Sequence, residues 1–418
     1  MGEPFTGRVV VVGLGYIGLP TAAVLATRGV EVVGVDVNPD TVKAIQHGEA
    51  PFVEPDLAAA VSGAAALGKL TASLEVPEAD AFIIAVPTPF QPDHQADRSF
   101  VRSAVESIAP RLRGGEVVIL ESTSPPGTTR LVSEWLADLR PDLVLPHDTD
   151  SIADVAVAHC PERVLPGRIM IEMVTNDRVI GGVSPRCAER AAAVYRVFAQ
   201  GELVLSDAAS AEMAKLVENS YRDVNIGFAN ELSLICEQLK LDVWEVIRLA
   251  NRHPRVNILS PGPGVGGHCI AVDPWFIVAA APGLAKLIRT AREVNDGKPR
   301  HVAETVVEKA ARFNSPTIAC LGLAYKANVD DLRESPAVEI VAEIATQLPD
   351  VSLLVAEPYV SALPPALDGL PNVRLARATD AVEAADIVLL LVEHDSFRRI
   401  NRSLLAGKVV YDTRGALR

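Results

Sequence analysis

The stretch that most restricts the fold lies near the N-terminus. Residues 8–12 form a short β-branched run, and Gly13-Leu14-Gly15-Tyr16-Ile17-Gly18 follows at once. An Ala/Leu-rich segment of helical character runs to about Arg28, and a second β run, 31–35, ends on Asp36. Strand, glycine turn, helix, strand and acid, with the acid about 20 residues beyond the glycines, is the pattern of a dinucleotide-binding βαβ unit. The glycines permit a tight turn and close approach of a pyrophosphate, which then faces the positive end of the helix. A carboxylate at position 36 accepts bonds from both ribose hydroxyls and so selects NAD over NADP. The expected cofactor contacts begin with Gly13, Gly15, Tyr16, Ile17, Gly18 and Asp36.

More βα units follow. Residues 79–86 read as a buried strand ending in Pro87-Thr88-Pro89, and residues 117–121 as another ending in Ser122-Thr123-Ser124-Pro125-Pro126-Gly127. Ligands bind at the carboxyl ends of parallel strands, which places Pro87, Thr88, Ser122 and Thr123 along the cofactor. Helix N-capping by the same hydroxyls is compatible with that role. A third run, 153–159, leads into Cys160-Pro161-Glu162-Arg163-Val164. Glu162 there is either a surface carboxylate or a base poised over the site. His147, Asp148 and Asp150 have the side chains of metal ligands but no second ligand cluster nearby, so a solvated loop and no metal are expected.

Residues 210–240 have helical periodicity, no proline and one glycine, Gly227. That length suits a spine joining two domains. Lys215 and Asn219 are four apart and share a helical face. Glu212, Glu218 and Arg222 read as a solvated stripe, whereas Asn225, Asn230 and Glu231 lie among apolar neighbours and suggest buried polar contacts. A second helix over 242–251 precedes Arg252-His253-Pro254-Arg255, a group able to grip a phosphate. Next comes Pro261-Gly262-Pro263-Gly264-Val265-Gly266-Gly267-His268-Cys269, with Asp273 four residues beyond the cysteine. Two readings stand for Cys269: a buried free thiol acting as a small hydrophobe, or a nucleophile tuned by His268 and Asp273. After Lys298-Pro299 the β/α pattern restarts, with strands over 317–321, 352–355, 387–392 and 409–411 and a helix opening at Ser335-Pro336. This shorter α/β region has no complete GxGxxG; Lys326 and Arg333 are its candidate nucleotide contacts.

Composition narrows the function. At 418 residues the chain exceeds one ordinary domain. A net charge of −14 argues against a nucleic-acid partner. No apolar run reaches the roughly 18 residues of a membrane span, and Met1–Val12 lacks a signal pattern. Five irregularly spaced cysteines do not form a disulfide framework, and a working thiol suits a reduced cytoplasm.

In this order, GLGYIGLP, VPTP, ESTSPPGTT, CPERVLPG, EMAKLVENSYRDVNIGFANE, PGPGVGGHCIAVDP and GLAYKANVDDLRESP resemble the UDP-glucose/GDP-mannose dehydrogenase superfamily over nearly the whole chain. The resemblance implies an α/β protein of two Rossmann-like doubly wound domains joined by a long central helix. It divides into an NAD-binding domain (1–205), a helical linker and dimerisation region with the catalytic loop (206–300), and a UDP-sugar-binding domain (301–418). It implies NAD as cofactor, a homodimer or higher assembly, and four-electron oxidation of a nucleotide sugar at C6. Cys269 would carry thiohemiacetal and thioester intermediates, Lys215 and Asn219 would stabilise oxyanions, and Glu162 would be the base for hydrolysis. Thr123 and Asp273 would position water. Arg333 joins the cofactor contacts. Glu162, Arg163, Val164, Lys215, Asn219, Arg222, His253, Arg255, Gly266, Tyr325 and Lys326 form the implied substrate set, with Arg255 reaching across the dimer. Val272, where a lysine is usual, and Pro161-Glu162-Arg163-Val164 resemble the branch acting on UDP-N-acetylhexosamines. A two-electron alcohol dehydrogenase needs no nucleophilic cysteine, and a silent NAD-binding protein needs none of Lys215, Asn219 and Cys269.

Overall fold

The structure, a computed structural model, describes residues 5–91, 94–148, 152–267 and 270–417. It forms two compact units, Met1–Val217 and Glu218–Arg418.

The first unit is built on eight strands: β1 (Val9–Val12), β2 (Val32–Val35), β3 (Leu70–Ser73), β4 (Ala81–Ile84), β5 (Val117–Leu120), β6 (Ala156–His159), β7 (Arg178–Gly182) and β8 (Leu203–Asp207). Their order is β3-β2-β1-β4-β5-β6-β7-β8, parallel throughout except where β7 runs antiparallel to β6. The strands read as continuous apolar runs because helices cover both faces. Val9, Val11, Ile83 and Ile119 pack on one side with the helix Gly18–Thr27, while Val10, Phe82, Ile84 and Val118 pack on the other with Val105 and Leu136. β3, β7 and β8 are additions to the strands expected from sequence. β3 alternates apolar with hydroxyl residues, β7 begins on a charge, and β8 leaves Val204 and Leu205 exposed.

The second unit carries β9 (Thr317–Leu321), β10 (Ser352–Ala356), β11 (Val373–Leu375), β12 (Ile387–Leu390) and β13 (Val409–Asp412), all parallel in the order β11-β10-β9-β12-β13. The long helix Ala208–Leu239 begins in the first unit and ends in the second. Pro299 does not mark a restart. The helix Lys286–Ala310 continues through it, and the proline ring lies against Gly264.

The two sheets repeat one turn. Gly13 follows β1 with φ +94° and Gly322 follows β9 with φ +95°. Each donates its N–H to the end of the neighbouring strand, Gly13 to Val35 O and Gly322 to Ala356 O, both at 2.8 Å. A side chain at Gly13 would also meet Ala85 O at 2.5 Å, so sterics and the positive φ both require glycine. The next N–H in each unit points at an acid: Leu14 at Asp36 (2.8 Å) and Leu323 at Glu357 (2.7 Å).

Candidate active site

At the carboxyl ends of β1 and β2 the geometry fits a dinucleotide. The position a Cβ would take at Gly15 is open, with nothing within 4 Å, and Gly15 lies three residues before the helix Gly18–Thr27, whose N-terminus is the positive end of its dipole. Half-buried Asp36 uses one oxygen on Leu14 N and the other on Asn38 N (2.9 Å). A carboxylate has about four acceptor positions, so capacity remains for ribose hydroxyls. Tyr16 stacks on Phe52, ring centroids 4.3 Å apart. A cleft of 470 Å³ lined by Val42, Lys43, Ala72, Ser73 and Leu74 suits a flat base. The residues therefore fit NAD.

The turns after β4 and β5 are tied together. Thr88 Oγ1 donates to Thr123 O at 2.6 Å, and Ser122 Oγ donates to Val86 O at 2.7 Å. Ser122 is buried with its hydroxyl proton spent there, whereas Pro87 is exposed and Thr123 half-buried.

Glu162 is not a surface carboxylate. It is 7% exposed and accepts a 2.9 Å bond from Arg178 Nη2, while its other oxygen takes the N–H of Arg163 at 2.7 Å. Arg178, which no sequence motif marks, is 3% exposed and also donates to Met173 O (3.1 Å). Its guanidinium lies 4.9 Å from the Tyr195 ring centroid and 5.2 Å from that of Phe198. Buried Glu121 closes the cluster, accepting from Tyr195 OH and Thr21 Oγ1 at 3.0 Å each. Burial first, then the Glu162 charge, pushes the Glu121 carboxyl up, and Arg178 opposes them. Burial pushes the neighbouring Cys160 thiol up to about 12, which makes it inert. Only the strand ends hinted at this cluster, since nothing in the local sequence pairs position 178 with 162. Arg163 also reaches Asp177 O (3.2 Å), and Val164 packs against the core.

Three further expectations change. Glu212 is not solvated but fully buried. His147 is no solvated ligand either: its side chain is 7% exposed and shares a 2.7 Å hydrogen bond with Ser133. Among the described residues no group of His, Cys, Asp and Glu is placed to hold a metal; Asp150 lies outside them. In the polar set on the long helix, Asn230 is fully buried as expected, but Glu231 is exposed. Lys215 is half-buried and Arg222 exposed.

In the second unit the glycine loop is held at both ends by one helix. Asn219 Nδ2 donates to buried Asp273 Oδ2 at 2.5 Å, and Asn230 Oδ1 accepts from Gly262 N at 2.8 Å. Asn230 in turn donates to Asn295 (2.8 Å), which donates to Asp223, the carboxylate paired at 2.6 Å with buried Arg292. Gly267, φ +85°, packs 3.1 Å from the Tyr325 ring by its would-be Cβ, and Gly266 lies against Pro336. His268 and Cys269 lie outside the described residues; the other four cysteines are buried and free. His253 and Arg255 are exposed, and His253 Nδ1 accepts from Arg255 N at 3.3 Å. Lys326 and Tyr325 are half-buried, and Arg333 pairs with Asp331 at 2.6 Å. Glu357, the counterpart of Asp36, is closed off: Leu323 N, Ala324 N (3.0 Å) and His394 Nε2 (3.0 Å) converge on one oxygen.

Comparison with known proteins agrees with this geometry. Residues 7–199, 209–297 and 319–418 match the NAD-binding, central and UDP-binding domains of the UDP-glucose/GDP-mannose dehydrogenase family. The chain is 56% identical to an NDP-N-acetyl-D-galactosaminuronic acid dehydrogenase of Ralstonia nicotianae, over 97% of this chain and 95% of the relative. It is 55% identical to UDP-N-acetyl-D-mannosamine dehydrogenase of Escherichia coli K12, over 98% of each. The solved UDP-D-ManNAc dehydrogenase of Pyrococcus horikoshii superposes with a TM-score of 0.87 at 38% identity, covering 98% of this chain and 96% of that one. Among the described residues no helix is long and apolar enough to cross a membrane. With its dinucleotide turn, an α/β sheet in each unit and these matches, the chain belongs to the UDP-glucose/GDP-mannose dehydrogenase family and is an NAD-dependent nucleotide-sugar dehydrogenase.

Proposed function

We propose that the chain oxidises the C6 alcohol of UDP-N-acetyl-D-mannosamine to UDP-N-acetyl-D-mannosaminuronate, in the cytoplasm, for cell-surface polysaccharide biosynthesis. The observation that carries this reading is 55% identity over 98% of the chain to the E. coli enzyme of that name. NAD, when bound, would supply the hydride acceptor for each of the two oxidations, the accompanying hydroxyl proton passing to solvent. The chain's own part is as follows. Lys215 and Asn219 stabilise the C6 oxygen as charge develops on it. The Cys269 thiol adds to the aldehyde, giving a thiohemiacetal whose oxidation leaves a thioester. Glu162 takes a proton from water, which attacks the thioester, releasing the carboxylate and the thiol. Asp273, held by Asn219, and Thr123 position that water. Arg163, Val164, Arg222, His253, Arg255, Gly266, Tyr325 and Lys326 contact the sugar nucleotide, Arg333 the cofactor. The functional division is 1–205, 206–300 and 301–418.

A homodimer or larger homo-oligomer is part of the reading. Tyr221, Phe228, Ile235 and Leu239 are all exposed on the long helix at spacings of seven, seven and four, an apolar stripe that suits a second copy. The R. nicotianae relative favours a second reading, with an N-acetylgalactosamine-configured sugar.

The test is purified protein with NAD and four sugars: UDP-N-acetylmannosamine, UDP-N-acetylglucosamine, UDP-N-acetylgalactosamine and UDP-glucose. About two NADH per acid formed, with the highest kcat/KM on the mannosamine, is expected. One NADH per turnover, or equal use of another sugar, overturns the mechanism or the specificity respectively. Cys269→Ser should abolish acid formation and leave NAD binding intact.

A further inference from the structure

The helix Thr128–Leu139 begins at Gly127, whose φ is +95°, and none of its own side chains caps it. Thr128 N reaches Pro125 O at 3.1 Å, but the N–H groups of Gly127 and Thr129 need an acceptor from outside the helix. The acceptor comes from the long helix instead. Glu212 Oε2 accepts from Gly127 N, and Glu212 Oε1 accepts from both Thr129 N and Thr129 Oγ1, each at 2.6 Å. Glu212 is 0% exposed. A carboxylate at a helix N-terminus also meets the positive end of the helix dipole. Burial raises its pKa, and the bonds from Thr129 and Gly127 pull against that rise.

This clamp has a consequence for the site. The segment between β5 and Gly127 carries Ser122 and Thr123 and is fixed at its start by the sheet and by Ser122 on Val86. Glu212 fixes its far end. Lys215 sits three residues beyond Glu212, on the same face of the same rigid helix. Glu212 therefore joins the lysine's helix to the turn that carries Thr123.

We propose that Glu212 is a positioning residue that sets Lys215 against the Ser122–Gly127 turn without touching the reacting atoms. The proposal rests on Lys215 being the oxyanion-stabilising cation.

A double-mutant cycle on the full chain tests it, with kcat and both KM values measured for NAD and UDP-N-acetylmannosamine. Glu212→Gln keeps the shape but turns an amide donor onto an N–H donor. We expect kcat to fall by about 10²-fold with KM values little changed, since small misplacements of a reacting group cost that much. Lys215→Ala alone should lower kcat by about 10²–10³. In the Lys215→Ala background, Glu212→Gln should then cost almost nothing more in kcat, and Glu212→Asp should restore part of the rate in the Lys215 background. A merely structural role predicts equal losses in both backgrounds, and that result overturns the proposal. If Lys215→Ala leaves kcat unchanged, the Lys215 reading falls, and this proposal with it. If Glu212→Gln does not fold, Thr129→Val removes one of the three bonds; its smaller kcat loss must likewise vanish in the Lys215→Ala background, and additivity there overturns the proposal.

Discussion

Replacing Arg178 by methionine should destabilise the first unit through its charge rather than its volume. Methionine is close to arginine in volume and keeps an unbranched apolar stem, so little cavity forms. What is lost is the 2.9 Å partner of Glu162, the donor to Met173 O and the cation over two rings. The side chains of Arg178 and Glu162 are only 4% and 6% exposed, so bulk solvent does not screen a carboxylate left without its cation. Breaking a buried pair from one side costs about 3–5 kcal/mol. At roughly 2–4 °C per kcal/mol for a unit of this size, Tm should fall by about 6–20 °C. Glu121 offers little relief, because Arg178 is also the charge that opposes its upward shift. Adding Glu162→Gln to Arg178→Met removes the stranded carboxylate and should recover most of the loss, since eliminating both charges of a buried pair is often near neutral. The assay is thermal unfolding of wild type, both single variants and the double variant, followed by circular dichroism. If Arg178→Met costs less than about 1 kcal/mol, or the double variant loses the sum of the singles, the charge argument is wrong.

Glu121 predicts a pH dependence. Its folded pKa lies above its ordinary 4.5, so its contribution to stability is complete below 4.5 and is lost as pH rises through the folded value. Glu121→Gln, whose amide Thr21 can accommodate by rotating its hydroxyl, should flatten urea-unfolding stability against pH upward from 4.5; an unchanged slope contradicts the assignment. Asp36→Ala should weaken NAD binding by roughly 10–100-fold, the loss of about 1.5–3 kcal/mol of charge-assisted bonding, and unchanged affinity by calorimetry would count against the ribose contact. Asn230→Ala strands Gly262 N–H and Asn295 Oδ1 at about 1–3 kcal/mol each, so it should lower both the urea midpoint and kcat. Wild-type kcat in that variant would show that the loop does not depend on this tether.

What depends on neighbours along the chain can be read from the amino-acid sequence. The run of β-branched residues, Gly13, Gly15, Gly18 and Asp36 specify a dinucleotide turn because turn, helix dipole and acid are all local. The long helix was legible for the same reason, since periodicity needs only its own residues. Partners far along the chain were not legible. Glu212 reads as one more polar residue on a helix face, and only the turn at Gly127, folded onto it from elsewhere in the chain, buries it. Arg178 and Glu162 lie on either side of a strand reversal that no local pattern announces. Pro299 looks like a stop, yet the helix continues through it because its ring has the Gly264 loop to pack on. Asp36 and Glu357 hold equivalent places at the ends of β2 and β10. Only contacts in space show that half-buried Asp36 keeps acceptor capacity for a ligand while His394 and the N–H groups of Leu323, Ala324 and Tyr359 use up that of buried Glu357. Hydrogen-bond capacity is finite, and which groups use it up is decided by contacts in space.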